Sequence, residues 1–195
     1  MAPLARASER ARQSPDAVAL IADGGAETLT AAEFTVAVEV LAGTMDGDQG
    51  PVAIELPSGP QLLTAFAAAA AAGRPACVAH LDFAPEERAR ALQAAGATHV
   101  LNRSGELAPT GASGFPLPAV DDDPIFYIGF TSGTSGAPKP FARRWKSWES
   151  SFDAAAELHR IGPGTTVLLP GSLAHSHFLF GAVLGLEREA TVHTF

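Results

Sequence analysis

The strongest constraint on the fold is a repeated alternation of short apolar segments with segments that carry helix signals. The apolar segments are continuous runs rather than alternating patterns, and they occupy residues 17–21, 51–56, 75–80, 98–101, 124–130, 165–170 and 191–195. Strands that are buried on both faces of a parallel sheet have this continuous apolar character. The chain is therefore predicted to form an α/β fold with alternating strands and helices, built on a largely parallel sheet with helices on both faces.

Local signals place several helix boundaries. Thr30 and Glu33 have the spacing of a capping box, which predicts a helix that runs to about Gly43. Ser58 is predicted to cap an alanine-rich helix, because a serine hydroxyl can accept a hydrogen bond from a free amide of the first turn. Ser147 is predicted to cap a later helix in the same way.

Composition divides the chain into three portions within one partial domain, residues 1–195. Residues 1–100 are predicted to form a first α/β portion. Residues 101–123 are dominated by glycine, proline and serine, and they are predicted to form a long surface connection. Residues 124–195 are predicted to form a second α/β portion that contains the most unusual loop of the chain.

Charge and hydropathy exclude several classes of protein. The net charge is −8, which argues against a general surface for nucleic acid or anionic lipid, because basic residues supply that attraction. The richest apolar run, residues 62–72, is mostly alanine and is far shorter than the roughly 20 residues that span a bilayer. The single cysteine, Cys77, cannot form an internal disulfide. A soluble, cytoplasmic protein without nucleic-acid or membrane partners is predicted.

One short segment carries positive charge in this acidic chain. Residues 124–148 contain no Asp or Glu and include both lysines, Lys139 and Lys146. The loop TSGTSGAPKP, residues 131–140, follows an apolar run within this segment. Backbone amides next to glycine, hydroxyl groups and a lysine are suited to binding an oxyanion such as polyphosphate. A solvated basic face, or a Ser/Gly loop that only turns the chain, remains the alternative from residue types alone.

The loop does not match two common phosphate-binding motifs. Lys139 lies between Pro138 and Pro140, whereas a Walker A lysine precedes a serine or threonine at the start of a helix. Gly133 and Gly136 do not have the spacing of the dinucleotide-binding fingerprint. A different phosphate-binding arrangement is therefore required if the loop binds phosphate.

The segment YIGFTSGTSGAPKP, residues 127–140, resembles the phosphate signature of the AMP-forming adenylating enzymes. This superfamily comprises acyl-CoA ligases, adenylation domains of peptide synthetases, and luciferases. Three further segments resemble the family in the same order along the chain: LTAAEF, AAAGRPACVAHLDFAPEERARALQAAGATHVL and LPGSLAHSHFLFGAV. Two positions depart from the family pattern, since the family usually has threonine at Ser135 and glycine at Pro140.

The resemblance implies that a carboxylic acid, a fatty or aryl acid, reacts with ATP to give an acyl adenylate. A thiol of CoA or of a carrier-protein pantetheine then forms the thioester. The resemblance further implies that Mg²⁺ accompanies the ATP phosphates, and that His175 lines the acyl pocket. The residues that it assigns to the β- and γ-phosphates of ATP are Thr131, Ser132, Gly133, Thr134, Ser135, Gly136 and Lys139.

Other polar residues allow less specific interpretations. His175 and His177 lie close in sequence, but no carboxylate lies between Thr165 and Leu186 to complete a metal site, and none is predicted. Arg143 and Arg144 either steer the phosphates of ATP or CoA or only solvate a strand edge.

No segment resembles the family's adenine, ribose and adenylation-lysine motifs, so no catalytic residue is identified in this chain. We therefore expect an N-terminal fragment of the adenylating-enzyme large domain that is inactive alone. The alternative is a free-standing, non-catalytic module that binds polyphosphate or a partner subunit. We further expect the last strand, TVHTF, to leave an uncovered sheet edge at Val192 and Phe195, through which the chain self-associates.

Overall fold

A computed structural model describes residues 4–45, 50–112, 123–131 and 138–195. The helices within these ranges are α1 (Ala5–Gln13), α2 (Ala31–Gly43), α3 (Pro60–Ala71), α4 (Pro85–Ala94), α5 (Trp145–His159) and α6 (Ser176–Glu187). The strands are β1 (Val18–Ala22), β2 (Glu27–Thr30), β3 (Val52–Ile54), β4 (Ala76–Val78), β5 (His99–Leu101), β6 (Leu107–Pro109), β7 (Ile125–Thr131), β8 (Lys139–Arg144), β9 (Thr166–Leu169) and β10 (Thr191–Thr194).

The strands form two sheets, where the sequence pattern predicts one. The first sheet has the order β2-β1-β10-β9, and the second has the order β6-β5-β3-β4-β7-β8. Interior pairs are parallel in both sheets, whereas β2, β6 and β8 pair antiparallel at the edges. The α/β fold with largely parallel strands is confirmed. The pattern of apolar runs identifies strands but carries no information about which strands share a sheet.

The alanine-rich helix α3 contacts strands of both sheets. It packs against β3 and β4 of the second sheet and against β1 and β2 of the first. Residues 62–69 are all buried, and small alanine side chains allow this close approach on several sides. A separate cluster, in which Ala91 and Leu92 of α4 pack with Cys77 and Ile128, covers the other face of the second sheet. This sheet therefore has helices on both faces, as predicted.

The expected sheet edge at the end of the chain is wrong. Strand β10 lies between β1 and β9, and the side chain of Val192 is fully buried. Phe195 does remain 64% exposed. The last strand returns to pair with the first strand of the chain, and a long-range pairing of this kind leaves no local signal in the sequence. Self-association through an uncovered β10 therefore loses its structural basis.

Helix caps are confirmed only in part. Thr30 and Glu33 form the predicted capping box at the start of α2. Ser58 does not cap α3, whose N-cap is Gly59. Ser147 lies inside α5, which begins at Trp145, and its hydroxyl donates to the carbonyl oxygen of Arg144 at 2.7 Å. A serine thus indicates that a helix begins nearby, but it does not identify the N-cap residue.

Two elements lack the signals on which the sequence prediction relies. Helix α1 is rich in arginine, and strand β6 lies within the segment that was expected to be a surface connection. Strand β6 forms an antiparallel hairpin with β5. Its short sequence, LAP, carries no apolar run.

Candidate functional site

The carboxyl ends of the parallel strands β3, β4, β5 and β7 share one edge of the six-stranded sheet. Thr131 is the last residue of β7, and Lys139 is the first residue of β8. The two residues are direct cross-strand partners, and the Thr131 hydroxyl donates to the carbonyl oxygen of Lys139 at 3.4 Å. The predicted phosphate loop is therefore the connection of a β-hairpin, with Thr131 and Lys139 exposed at its base.

Five of the predicted phosphate-binding residues lie outside the described residues. They are Ser132, Gly133, Thr134, Ser135 and Gly136. The structure brings together Thr131 and Lys139, the two predicted residues that it describes.

The base of this hairpin is tied to the start of α5. Arg144 donates to the carbonyl oxygen of Asp123 at 2.7 Å, and the Lys146 amide donates to Oδ1 of Asp123 at 2.9 Å. Arg143 is exposed, with its guanidinium 5.9 Å from the centre of the Phe141 ring. Trp145 is buried in the core, where it packs edge-on against Phe126. The cationic side chains of β8 thus lie along an edge strand that leads to Lys139.

His175 immediately precedes α6 in the loop between β9 and α6. Its backbone amide donates to the carbonyl oxygen of Ser172 at 3.0 Å, and its side chain is exposed. The same loop is held to the second sheet, because the Leu173 amide donates to Oγ of Ser58 at 2.9 Å. Ser58 follows β3, so this hydrogen bond joins loops that extend from the two sheets.

His80, which follows β4, contacts His175. The centres of the two imidazole rings lie 4.9 Å apart, with an angle of 65° between the rings. His80 also packs against Phe83 at 5.3 Å, and Phe83 packs edge-on against Phe130, the residue before Thr131, at 5.7 Å. The rings form a continuous row from the His175 loop to the base of the β7–β8 hairpin. Sequence reasoning missed His80, since its partner is distant along the chain.

The surroundings of His80 favour the neutral imidazole. Burial lowers the pKa of His80 below its ordinary value, and the nearby His175 lowers the pKa further. Asp82 and Glu87 oppose this shift, because their negative charges favour the protonated ring. His80 is therefore mainly neutral near pH 7.

A cavity of about 370 Å³ lies beside His80 at the same sheet edge. It is lined by polar groups that include Glu55, Arg88, Asn102 and Arg103. Arg88 donates through Nη2 to Oε2 of Glu55 at 2.8 Å and also through Nε to Oε1. The hydrogen bond to Glu55 raises the pKa of Arg88. Ligands of open α/β sheets commonly bind outside the carboxyl ends of the strands, where this cavity lies.

In the described part of the chain, no group of three or more His, Cys, Asp or Glu side chains is placed to hold a metal ion. Among the helices in these ranges, none combines the length and apolar character needed to cross a bilayer.

Comparisons with known proteins were made for the whole chain. Residues 7–116 match the AMP-binding enzyme family. The chain is 35% identical over 161 residues to the uncharacterized acyl-CoA ligase YhfT of Bacillus subtilis (strain 168), an alignment that covers 72% of this chain and 33% of the relative. It is 23% identical over 167 residues to the D-alanine–D-alanyl carrier protein ligase of Bacillus velezensis, covering 77% of this chain and 33% of that protein.

The fold is similar to solved structures. The inhibitor-bound N-terminal domain of FACL13 from Mycobacterium tuberculosis aligns with a TM-score of 0.81 at 20% identity, covering 100% of this chain and 57% of that one. This likeness concerns the fold. The chain spans about a third of the length of the two curated relatives named above.

Proposed function

Because the chain belongs to the AMP-binding enzyme family, we propose that it provides the phosphate-binding loop and part of the acyl pocket of an ATP-dependent acyl-CoA ligase. The observation that carries this proposal is the position of Thr131 and Lys139, paired at the base of a hairpin on the carboxyl edge of a parallel sheet. His175 extends from the other sheet toward the same edge and meets His80 there.

The proposed reaction has two steps. A carboxylate oxygen attacks the α-phosphorus of ATP, the bond to the bridging oxygen breaks, and pyrophosphate leaves with its electron pair. A thiolate of CoA or of carrier-protein pantetheine then attacks the acyl carbon of the adenylate, and AMP leaves. The acid is a fatty or aryl acid in this proposal, consistent with the acyl-CoA ligase name of the relative YhfT.

Residues 131–139 are assigned to the β- and γ-phosphates. Lys139 is exposed and emerges from an edge strand, so its ammonium group can reach an anion in front of the hairpin. Thr131 supplies a hydroxyl at the facing position. Ser132, Gly133, Thr134, Ser135 and Gly136 would add hydroxyl and amide donors. The loop positions the phosphates and stabilises their charge, and it takes no part in covalent chemistry.

Mg²⁺ would enter this site together with ATP, because the phosphate oxygens supply hard ligands that the ion prefers. The hydroxyls of Thr131 and its neighbours are compatible oxygen donors. The ion would offset phosphate charge during the first step.

We propose that the 195 residues bind polyphosphate without catalysing turnover. They span about a third of the two relatives named above, and no segment resembles the family's base-reading or adenylation-lysine motifs. Binding should then not discriminate between ATP and GTP. The comparisons do not favour the alternative of a free-standing, non-catalytic module.

Pyrophosphate binding to the chain tests the role of the loop. Lys139→Ala should weaken binding by roughly tenfold to a hundredfold, because one charge-assisted contact contributes about 1.5 to 3 kcal/mol. Lys146→Ala is the matched control, since it removes the same charge from α5, outside the hairpin. Binding can be measured by calorimetry and located by amide chemical-shift mapping.

If both substitutions weaken binding equally, pyrophosphate binds to a diffuse basic surface rather than to the loop, and the proposal is contradicted. Carboxylate-dependent exchange of pyrophosphate into ATP tests the claim that the 195 residues alone do not catalyse turnover. Exchange catalysed by the 195 residues alone would show that they are not an inactive portion of the ligase.

A further inference from the structure

His80 lies between the loop that carries His175 and the side chains that lead to the β7–β8 hairpin. Its ring lies between His175, at 4.9 Å, and Phe83, at 5.3 Å. Phe83 rests in turn on Phe130, which is 9% exposed and belongs to the buried cluster on the α4 face of the second sheet. The position of His80 is therefore defined by a ring that is itself packed against the core. His175, by contrast, is exposed.

The loop that carries His175 has an independent backbone anchor. Oγ of Ser58 accepts a hydrogen bond from the Leu173 amide, and the carbonyl oxygen of Ser172 accepts one from the His175 amide. These bonds fix the backbone of residues 172–175 but leave rotation about the His175 side chain free. The edge of the His80 ring is the observed contact that restricts this rotation, because perpendicular aromatic pairs at about 5 Å are favourable.

We propose that His80 is a positioning residue that orients the His175 imidazole. Aromatic rings attract each other in this edge-to-face geometry, so the contact holds the His175 side chain in one orientation. This inference deepens the proposed function, since it rests on the assignment of His175 to the acyl pocket.

Several other charged groups face His80 and affect how readily it is protonated. Asp82, from the same loop, and Glu87, from α4, favour protonation of His80. Glu55, Arg88 and Arg103 line the adjoining cavity. Glu55 and Arg88 form an ion pair with each other and so largely neutralise one another. His175 opposes protonation of His80 by direct charge repulsion.

The test is an NMR titration of the imidazole groups in this chain and in His175→Phe. Phenylalanine keeps an aromatic ring against His80 but cannot be protonated. The pKa of His80 should rise by about half a unit or more in this variant, because charge repulsion over 4.9 Å disappears while burial is unchanged. His177→Phe is the matched control, since His177 lies two positions further along and contacts Phe178. It should leave the pKa of His80 unchanged.

A second variant tests orientation separately from charge. His80→Phe should keep the His175 side chain in one rotamer, read from its χ1 couplings, whereas His80→Ala should let it sample several rotamers. In a ligase that contains this chain, His80→Ala should raise the KM for the carboxylate several-fold and leave the KM for ATP unchanged. His80→Phe should restore the carboxylate KM, because phenylalanine supplies a ring at the same place.

The outcomes separate this inference from the proposed function. An unchanged His80 pKa in His175→Phe, or His175 signals that do not respond to His80→Ala, would overturn the positioning role whether or not the protein is a ligase. A coupled histidine pair in a protein without ligase activity would instead contradict the proposed function and leave the pairing intact.

Discussion

At the scale of single residues, a buried carboxyl group determines how this chain should respond to pH. Glu187, the last residue of α6, is 4% exposed, and its Oε1 atom finds no hydrogen-bond partner among the described residues. Burial raises the pKa of Glu187 to about 7, although the charges of Arg6 and Arg188 oppose the shift. The folded state therefore retains a proton that the unfolded chain releases near its ordinary pKa of 4.5.

We expect the free energy of unfolding to fall as the pH rises from about 4.5 to about 7. In this window the folded state binds more protons than the unfolded state, so deprotonation favours unfolding, and about 3 kcal/mol is lost over the window. Glu187→Gln should flatten this dependence and stabilise the protein above pH 7. Urea unfolding at pH 5 and pH 8 measures it, with Glu39→Gln on the exposed face of α2 as the control. If the free energy of unfolding of Glu187→Gln still falls between pH 5 and pH 8, groups other than Glu187 cause the pH dependence.

The site residues show what a sequence can and cannot predict at this scale. The place of the Ser/Thr/Gly-rich loop after an apolar strand was accessible, because it is a continuous signal, whereas the hairpin that pairs Lys139 with Thr131 was not predicted. His175 was accessible only through the resemblance of LAHSHF to a known family. His80 carries no motif, and its proposed role depends on a contact that only the packing of two loops creates. Residues of this last kind cannot be found from one sequence.

At the scale of elements, the loop between β9 and α6 depends on one hydroxyl from another loop. Ser58 was predicted to cap α3, yet its Oγ accepts the Leu173 amide. The capping box of Thr30 and Glu33 was predicted correctly, because both of its partners lie within one helical turn. Hydrogen bonds within one helical turn can thus be predicted from residue spacing. A hydrogen bond between a hydroxyl and a residue distant in sequence cannot.

Ser58→Ala should loosen the loop that carries His175. The Leu173 amide would lose its acceptor in a mostly buried position, at a cost of about 1 to 3 kcal/mol. Hydrogen exchange at the Leu173 amide should accelerate roughly tenfold or more, if exchange proceeds by local opening. The matched control is Ser147→Ala, whose hydroxyl donates to the carbonyl oxygen of Arg144, the residue before α5, away from both loops. Unchanged protection at Leu173 would mean that other contacts hold the loop.

At the scale of the whole molecule, the first sheet joins the first strand of the chain to the last. Arg10 of α1 is buried and donates to the carbonyl oxygens of Ala190 and Val18 at 2.9 and 3.0 Å. Thr191 and Thr194 donate to carbonyl oxygens of β1. The first sheet therefore forms only after residues separated by most of the chain have met, which is why its composition could not be derived from local patterns.

The central position of β10 leads to the last prediction. Val192 is fully buried beneath α6, and α6 approaches so closely that a Cβ atom at Gly185 would lie 2.7 Å from Cγ2 of Val192. Val192→Asp would place a carboxylate where no water can solvate it, and a buried unpaired charge costs several kcal/mol. Most of the stability of a typical domain, about 5 to 15 kcal/mol, would be lost.

Leu168→Asp on the edge strand β9 is the control, because Leu168 is 59% exposed and the new charge would remain hydrated. We expect its urea midpoint to stay close to that of the parent chain, while Val192→Asp unfolds at much lower urea or does not fold. Equal stability of the two variants would place Val192 at a solvated edge, as the sequence pattern alone suggests. Circular dichroism across a urea series distinguishes the two arrangements, since only an interior β10 makes the strand indispensable to the sheet that joins the two ends of the chain.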